Sequence, residues 1–340
     1  MKDMESKMKD QFLDLWTRNF IFCDVGARWG LEEPWKSYRD CINVVSFEPD
    51  REEYEELSNN KFDRDSVFCY ALYNEQKKLN LNLTKSRGCS SIFQPNYSFL
   101  QQFPDVDRFT VEAIEMVEST TLDILFGKKV LSNLDFIKLD TQGAELDILM
   151  GGVKLLNETV LAVQVEVYFK QVYTEQVLFS DVDIFIREKL DLELIDIRKS
   201  FWKYKEGQRI GPSKGQLMVG DALYFRDPYQ LLIWCEQFNK EEARNKIFMA
   251  CFIAVLYGYP DYSLCVLAQP QISQWIKTER IERLKKIIIA YARCIHYYGK
   301  GCGKIWKLFY LMSKIFESNY EGWHSLERHL GSRKKFGVFW

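Results

Sequence analysis

The chain lacks any CxxC pair, although nine cysteines are scattered through it at 23, 41, 69, 89, 235, 251, 265, 294 and 302. An odd number without paired spacing excludes a disulfide framework and a zinc site as expectations, and no metal site is read. Unpaired thiols suit a reducing compartment, so a cytoplasmic protein is expected. The first sixteen residues are charged and contain no apolar h-region, so no secretory signal is read there. No apolar run approaches the roughly 20 residues of a membrane span. The longest, residues 247–257, has eleven. There is no excess of basic charge either: 46 Lys and Arg stand against 48 Asp and Glu, a formal net of -2. A near-neutral chain has no global electrostatic reason to seek nucleic acid. Histidine is scarce, with three residues, all after position 295.

What is present is a 340-residue chain that is 47% hydrophobic, enough for about two domains with sizeable cores. Its charge is segregated. Residues 229–340 carry 17 basic and 9 acidic side chains, and residues 1–228 carry 29 and 39. Residues 1–19 read as an amphipathic helix with Met8, Phe12, Leu15 and Trp16 on one face. Short apolar runs at 20–25, 43–47, 66–70, 134–139 and 160–167 read as buried strands, with further strands at 192–197 and 221–225. Residues 78–83 alternate like a hairpin arm. Helices are expected from residue 51, over 144–156 and over 180–189. Strands alternating with helices predict an α/β fold with a mostly parallel sheet covered on both faces. After residue 228 the pattern becomes helical, as in Ile281, Leu284, Ile287, Ile288 and Tyr291. The expected division is an N-terminal helix (1–19), an α/β domain (20–228) and a helical C-terminal domain (229–340).

The first strand runs into Asp24-x-Gly26-x-x-x-Gly30. Glycines at the carboxyl end of a first strand let backbone approach a ligand. The spacing is not the GxGxxG of a dinucleotide pyrophosphate site, which speaks against a nicotinamide oxidoreductase. A pyrophosphate wants bare amides at a helix start, whereas a cationic ligand would meet a carboxylate such as Asp24. Glu48 ends the second strand, where an acid can accept both hydroxyls of a ribose. A nucleoside attached to a positively charged group fits this set.

The segments FCDVGARWG, VVSFEPD, STTLDIL, FIKLDTQGAELDILMGG and VQVEVYF occur in that order. Together they resemble the FkbM-type family of class I S-adenosylmethionine-dependent methyltransferases over roughly residues 20–226. The family pattern commonly has Asn where Arg28 stands and Val-Glu-Gly where Thr141-Gln142-Gly143 stands. The resemblance implies a Rossmann-like, mostly parallel sheet with an antiparallel final hairpin. It also implies S-adenosylmethionine as cofactor and methylation of a hydroxyl, often on a glycan, glycolipid precursor or similar metabolite. Carried over, Asp24, Gly26 and Gly30 cradle the methionine part, Glu48 holds the ribose, and Ala71 and Leu72 flank the adenine. A degenerate domain used only for docking is the competing reading, and it predicts no turnover.

A base assists loss of the hydroxyl proton. With histidine confined to the C-terminal part, the α/β domain must use a carboxylate, a lysine or water. The candidates are Asp140, Glu145, Glu166 and Lys138, the last alternatively steadying an oxyanion. Glu145 equally reads as an acid in a first helical turn, and Glu166 as an outward strand residue. For the acceptor the candidates are Arg87, Ser90 and Ser91 in a polar loop, and Tyr168 after the fifth strand, with Phe169, Tyr173 and Phe179 as further wall. Lys304, Lys307 and Lys314 beside an apolar helical face, with the aromatic and basic tail, suggest peripheral contact with an anionic membrane.

Overall fold

The computed structural model describes residues 12, 14–207, 215–295, 312 and 324–327. The central strand β1 (Phe20–Val25) lies parallel to β2 (Ile42–Phe47) on one side and to β7 (Phe136–Leu139) on the other. β3 (Ser66–Phe68) continues outward from β2, and β8 (Ala162–Tyr168) from β7, both parallel. β10 (Gln216–Phe225) then pairs antiparallel with β8, and β9 (Glu193–Trp202) antiparallel with β10. A short strand, β11 (His324–Leu326), caps the β9 edge, so the order is β11-β9-β10-β8-β7-β1-β2-β3. The expected α/β fold with a mostly parallel sheet and an antiparallel final hairpin is what the chain adopts. The eighth strand was not expected.

Strand alternation sends side chains to two faces, and each face has its own core. Phe20, Phe22, Val44, Phe136, Leu223 and Phe225 belong to one cluster. It is completed by α7 (Pro228–Cys235), α8 (Lys240–Leu256), α9 (Pro260–Ala268) and α10 (Thr278–Ile295). Val25, Phe47, Ile137, Leu139, Val163 and Val165 face the other way. They pack on α3 (Leu122–Gly127), α4 (Glu145–Met150), α5 (Val153–Thr159) and α6 (Phe179–Leu190).

The change of pattern at residue 228 is therefore where the last long strand ends and Asp227 caps α7, accepting from Tyr229 N at 2.8 Å. The helices after it form a layer on the sheet and share its core. The eleven-residue apolar run lies in α8, which is buried on nearly every side, as a helix apolar all round must be. Among the described residues no helix is long and apolar enough to cross a membrane. Phe12 and Trp16 pack edge-on against Phe252 of α8. Most of the expected first helix lies outside the described residues. So do Lys304, Lys307, Lys314, His296, His329 and the 332–340 tail.

Three local expectations differ from the structure. Residues 78–83 are an arm of an antiparallel pair, but no short turn closes it, because residues 85–110 lie between its two strands. β5 (Lys78–Thr84) pairs antiparallel with β6 (Val111–Thr120), which also carries β4 (Ala71–Leu72) in a separate three-stranded sheet. The helix expected over 144–156 breaks into α4 and α5 at Gly151-Gly152. A Cβ on Gly151 would come within 2.2 Å of the Tyr73 carbonyl, and one on Gly152 within 2.7 Å of Leu122. Finally, β9 and β10 run several residues further than the apolar patterns at 192–197 and 221–225 suggest.

A buried ion cluster locks the helical layer to the sheet. Asp135, fully buried before β7, takes a bidentate pair from Arg18 at 2.7 Å. It also takes Lys246 Nζ of α8 at 2.8 Å and the Ile21 amide at 2.8 Å. Lys246 donates further to Asn133 Oδ1 at 2.8 Å and to the Thr159 carbonyl. Burial raises the Asp135 pKa, but Lys246 and Arg18 outweigh it and hold it at about 2. Removing one partner of such a set costs about 3–5 kcal/mol. Asp135→Asn should therefore lower the urea midpoint strongly. The folded carboxyl lies below its ordinary 3.8, so its contribution is complete above that value and is lost as pH falls through about 2. The stability gap between wild type and variant should narrow over that window, and unchanged midpoints would remove the cluster from the account.

Candidate active site

The carboxyl ends of β1, β2, β7 and β8 open into a cleft of about 280 Å³. This is the crevice where open parallel sheets bind ligands. Its floor is set by Gly26, whose φ of +75° carries the chain out of β1. A Cβ there would lie 2.0 Å from the Asp140 carbonyl, so only glycine lets the ends of β1 and β7 meet this closely. Gly26 N donates to Phe47 O at 3.0 Å, and Gly30 N to Ala27 O at 2.9 Å.

Arg28 pins this loop to the next helix. Its guanidinium bonds Asp50 at 2.5 Å and Glu53 at 3.1 Å, and Glu53 also accepts from Trp29 N at 2.9 Å. Asp50 in turn caps α1 (Arg51–Asn60), accepting from Glu52 N at 3.1 Å. Glu48 lies buried beneath, and its Oε1 accepts from Asp50 N at 2.9 Å. Burial pushes its pKa up to about 7, against the Asp50 N–H and Arg28, which favour the carboxylate. Ala71, Leu72 and the half-exposed Tyr70 line the same end of the cleft.

Of the expected cofactor residues, Gly26, Glu48, Ala71 and Leu72 line this cleft. Asp24 and Gly30 line an adjoining cavity under the loop, and Trp29 belongs to both spaces. Asp24 is buried in register with Lys138 of β7. Its Oδ1 has no hydrogen-bond partner among the described residues. Burial pushes its pKa up to about 6, with Lys138 opposing and Asp140 and Glu32 adding to the rise. A second orphan is Arg87 Nη1, on the loop across the cleft.

At the β7 and β8 ends the carboxylates separate by role. Asp140 is 3.4 Å from Lys138 Nζ and accepts from Gln142 Nε2 at 3.1 Å. Burial works against the Lys138 ammonium, but Asp140 and Asp24 outweigh it and raise its pKa. The same Gln142 Nε2 reaches Glu166 at 2.7 Å, and Tyr168 OH also donates to Glu166. Burial, then Asp140 and Glu145, hold the Glu166 pKa well above the usual carboxylate range. Glu145 turns away from the cleft. It is buried and accepts from Thr141 N at 2.8 Å and Gly143 N at 3.0 Å, which folds the turn before α4. Ser90 and Ser91 line the cleft with hydroxyls engaged in the loop. Ser90 Oγ accepts from Thr84 N at 3.1 Å, and Ser91 Oγ donates to Gln142 O at 2.7 Å.

A second cavity of about 250 Å³ opens beyond. Gly88, Asp140, Gln142 and Glu166 line both spaces. Its other walls include Arg108, Tyr168, Arg198, Trp202 and Asp221. Arg198 pairs with Asp221 at 2.7 Å, and Arg108 lies over the rings of Phe109 and Trp202 at 4.8 and 4.9 Å. The expected aromatic wall contributes only Tyr168. Phe169 and Phe179 pack with the opposite core, and Tyr173 is fully buried, bonding Gln142 Oε1 at 2.9 Å.

Histidine is not excluded from this region, as the sequence suggested. β11 brings His324 into the second cavity, its Nε2 2.9 Å from Ser200 Oγ. Burial lowers its pKa, and Arg108 adds to this. The residues that sequence reasoning missed are thus Gln142, Arg108 and His324. For Gln142 the signal was its departure from the family pattern. For His324 there was none, because a three-residue strand has no readable period.

Residues 24–192 match the model of the methyltransferase FkbM domain. No curated protein matches the chain. Among solved structures, magnesium protoporphyrin IX methyltransferase from Synechocystis PCC 6803, with bound S-adenosylmethionine, is 8% identical. That match covers 66% of this chain and 78% of the other, with a TM-score of 0.32. Precorrin-6y C5,15-methyltransferase from Geobacter metallireducens GS-15 is 9% identical over 65% and 86%, with a TM-score of 0.31. An rRNA methylase from Streptococcus thermophilus is 8% identical over 65% and 94%, with a TM-score of 0.29. The chain thus carries a methyltransferase FkbM domain over residues 24–192.

Proposed function

We propose that the chain methylates a hydroxyl oxygen of an acceptor seated in the second cavity, with the cofactor in the first cleft. The observation that carries this reading is the shared wall of Gly88, Asp140, Gln142 and Glu166. Bound S-adenosylmethionine supplies a methyl group already activated by the sulfonium charge. The protein's remaining task is to bind, align and remove a proton. Alignment alone is worth about 7–11 kcal/mol.

The residues present fit the cofactor. Glu48 receives the ribose hydroxyls, Ala71 and Leu72 flank the base, and Gly26 keeps the floor clear. The unpartnered Asp24 Oδ1 suits the ammonium of the methionine part. Asp140 faces both spaces and receives the acceptor's hydroxyl proton, a contribution of about 10²–10⁴-fold. Lys138 and Gln142 are its positioning residues. Glu166, its carboxyl held above the usual range by burial and by Asp140 and Glu145, lies where the two spaces meet and contacts the acceptor. Glu145 shapes the turn behind them. Tyr168, Trp202, Arg108 and Ser200 suit the mixed polar and aromatic contacts of a carbohydrate, which supports a glycan or glycolipid precursor as acceptor.

S-adenosylhomocysteine should raise the melting temperature, because it binds only the folded state, and NAD should not. Glu48→Ala should weaken its binding by about 1–3 kcal/mol. Ribose hydroxyls donate, so they favour the Glu48 carboxylate. Affinity in the wild type should rise as pH climbs through about 7, and Glu48→Gln should flatten that slope. Calorimetry that finds NAD binding and no S-adenosylhomocysteine binding would defeat the reading.

For turnover, labelled S-adenosylmethionine is offered with a panel of cell-surface glycan precursors. Asp140→Asn should cut transfer by about 10²-fold or more while cofactor affinity is kept. Full activity in the folded variant reassigns Asp140 to structure.

A further inference from the structure

Three cationic side chains line the donor cleft: Arg28, Lys138 and Arg87. Two are committed. Arg28 is held by Asp50 and Glu53, and Lys138 by Asp140. Arg87 makes no ion pair among the described residues, and its Nη1 is buried without a hydrogen-bond partner. A buried guanidinium nitrogen left unsatisfied is costly, so this arrangement points to an absent acceptor atom.

The position of Arg87 narrows what that acceptor is. The residue opens a tight turn, Arg87–Cys89, in which Cys89 N donates to Ser86 O at 2.8 Å and Ser90 N to Arg87 O at 3.1 Å. Gly88 lies under the Trp29 ring, so close that a Cβ would come within 2.6 Å of it. Arg87 is thereby set beside Trp29 of the glycine loop, on a loop whose Ser91 donates to Gln142 O at 2.7 Å. Asp50, Glu53 and Asp140 already have cationic partners. A guanidinium here would repel a sulfonium unless a negative group stood between them. S-adenosylmethionine carries one carboxylate, on its methionine part. One unpartnered guanidinium nitrogen thus lines the cleft, and one unpartnered acid oxygen, Asp24 Oδ1, lines the cavity adjoining it under the glycine loop, a pair that suits a zwitterionic ligand end.

We propose that Arg87 is the residue that binds the carboxylate of the cofactor's methionine moiety, rather than a group on the acceptor. This rests on the S-adenosylmethionine reading of the cleft and adds a specific recognition residue from the second sheet's loop.

The test compares two ligands that share the thioadenosine and differ in the amino acid. S-adenosylhomocysteine has the carboxylate, and 5′-methylthioadenosine does not. Titration calorimetry on the full chain should give a tighter Kd for S-adenosylhomocysteine. Arg87→Gln should weaken it about 10- to 100-fold, the range of a charged hydrogen bond, and leave methylthioadenosine unchanged. Arg87→Lys should recover part of the loss, as a point charge without the fork. It also guards against a variant that merely misfolds, which far-ultraviolet dichroism would detect. Equal weakening of both ligands, or of neither, would overturn the assignment. Wild type that binds methylthioadenosine as tightly as S-adenosylhomocysteine overturns it too, yet leaves the nucleoside site standing. Wild type that binds neither ligand removes both the assignment and the cofactor reading.

Discussion

The contact on which the site depends is backbone against backbone. Gly26 meets the Asp140 carbonyl at a distance that leaves no room for a Cβ, and Asp140 N donates to Val25 O at 3.0 Å. Two parallel strands are held together at the point where both end and both turn away. The first turn leads toward the nucleoside end and the second toward the reacting end. A side chain at Gly26 would part them, and Asp140, Thr141 and Gln142 would lose their position relative to Glu48. The cleft is a consequence of this junction.

Around it, charge does two different jobs. Far from the cleft, Asp135 is surrounded by Arg18, Lys246 and the Ile21 amide, partners from two distant parts of the chain. Every oxygen is used, and the result is rigidity. In the cleft and the adjoining cavity under the glycine loop the pattern is incomplete. Asp24 Oδ1 and Arg87 Nη1 are buried without partners, and the Glu48 and Glu166 carboxyls are held up by burial. Unsatisfied charged groups beside an open cleft point to where a ligand belongs. The Arg28 clamp on Asp50 and Glu53 lies between these regimes, because it uses charge to fix the shape of a binding loop.

The central parallel strands were readable because β1, β2 and β7 are largely buried apolar runs ended by glycine or an acid. The cleft-lining residues Gly26, Glu48, Ala71 and Leu72 follow from those strand ends. β6 was not readable. Glu112, Glu115 and Glu118 recur at a spacing that also suits a helix, and Ile114 and Met116 are exposed. Only pairing with β5 and β4 keeps the segment extended. The division of labour among the carboxylates was hidden for a related reason. Glu145 and Glu166 look alike in sequence, and what separates them is a turn of backbone amides in one case and Gln142 with Tyr168 in the other. The acceptor cavity was least accessible, since it needs residues from β9, β10 and β11 that meet only in the folded sheet.

That last feature sets an order in time. The residues of the donor cleft all lie between positions 25 and 166, whereas the second cavity also requires Arg198, Asp221 and His324. A chain emerging from its amino end has the material for the donor half well before the acceptor half exists. Strand β11 joins the β9 edge from more than a hundred positions downstream, so the last wall of the second cavity is also the last to be synthesised.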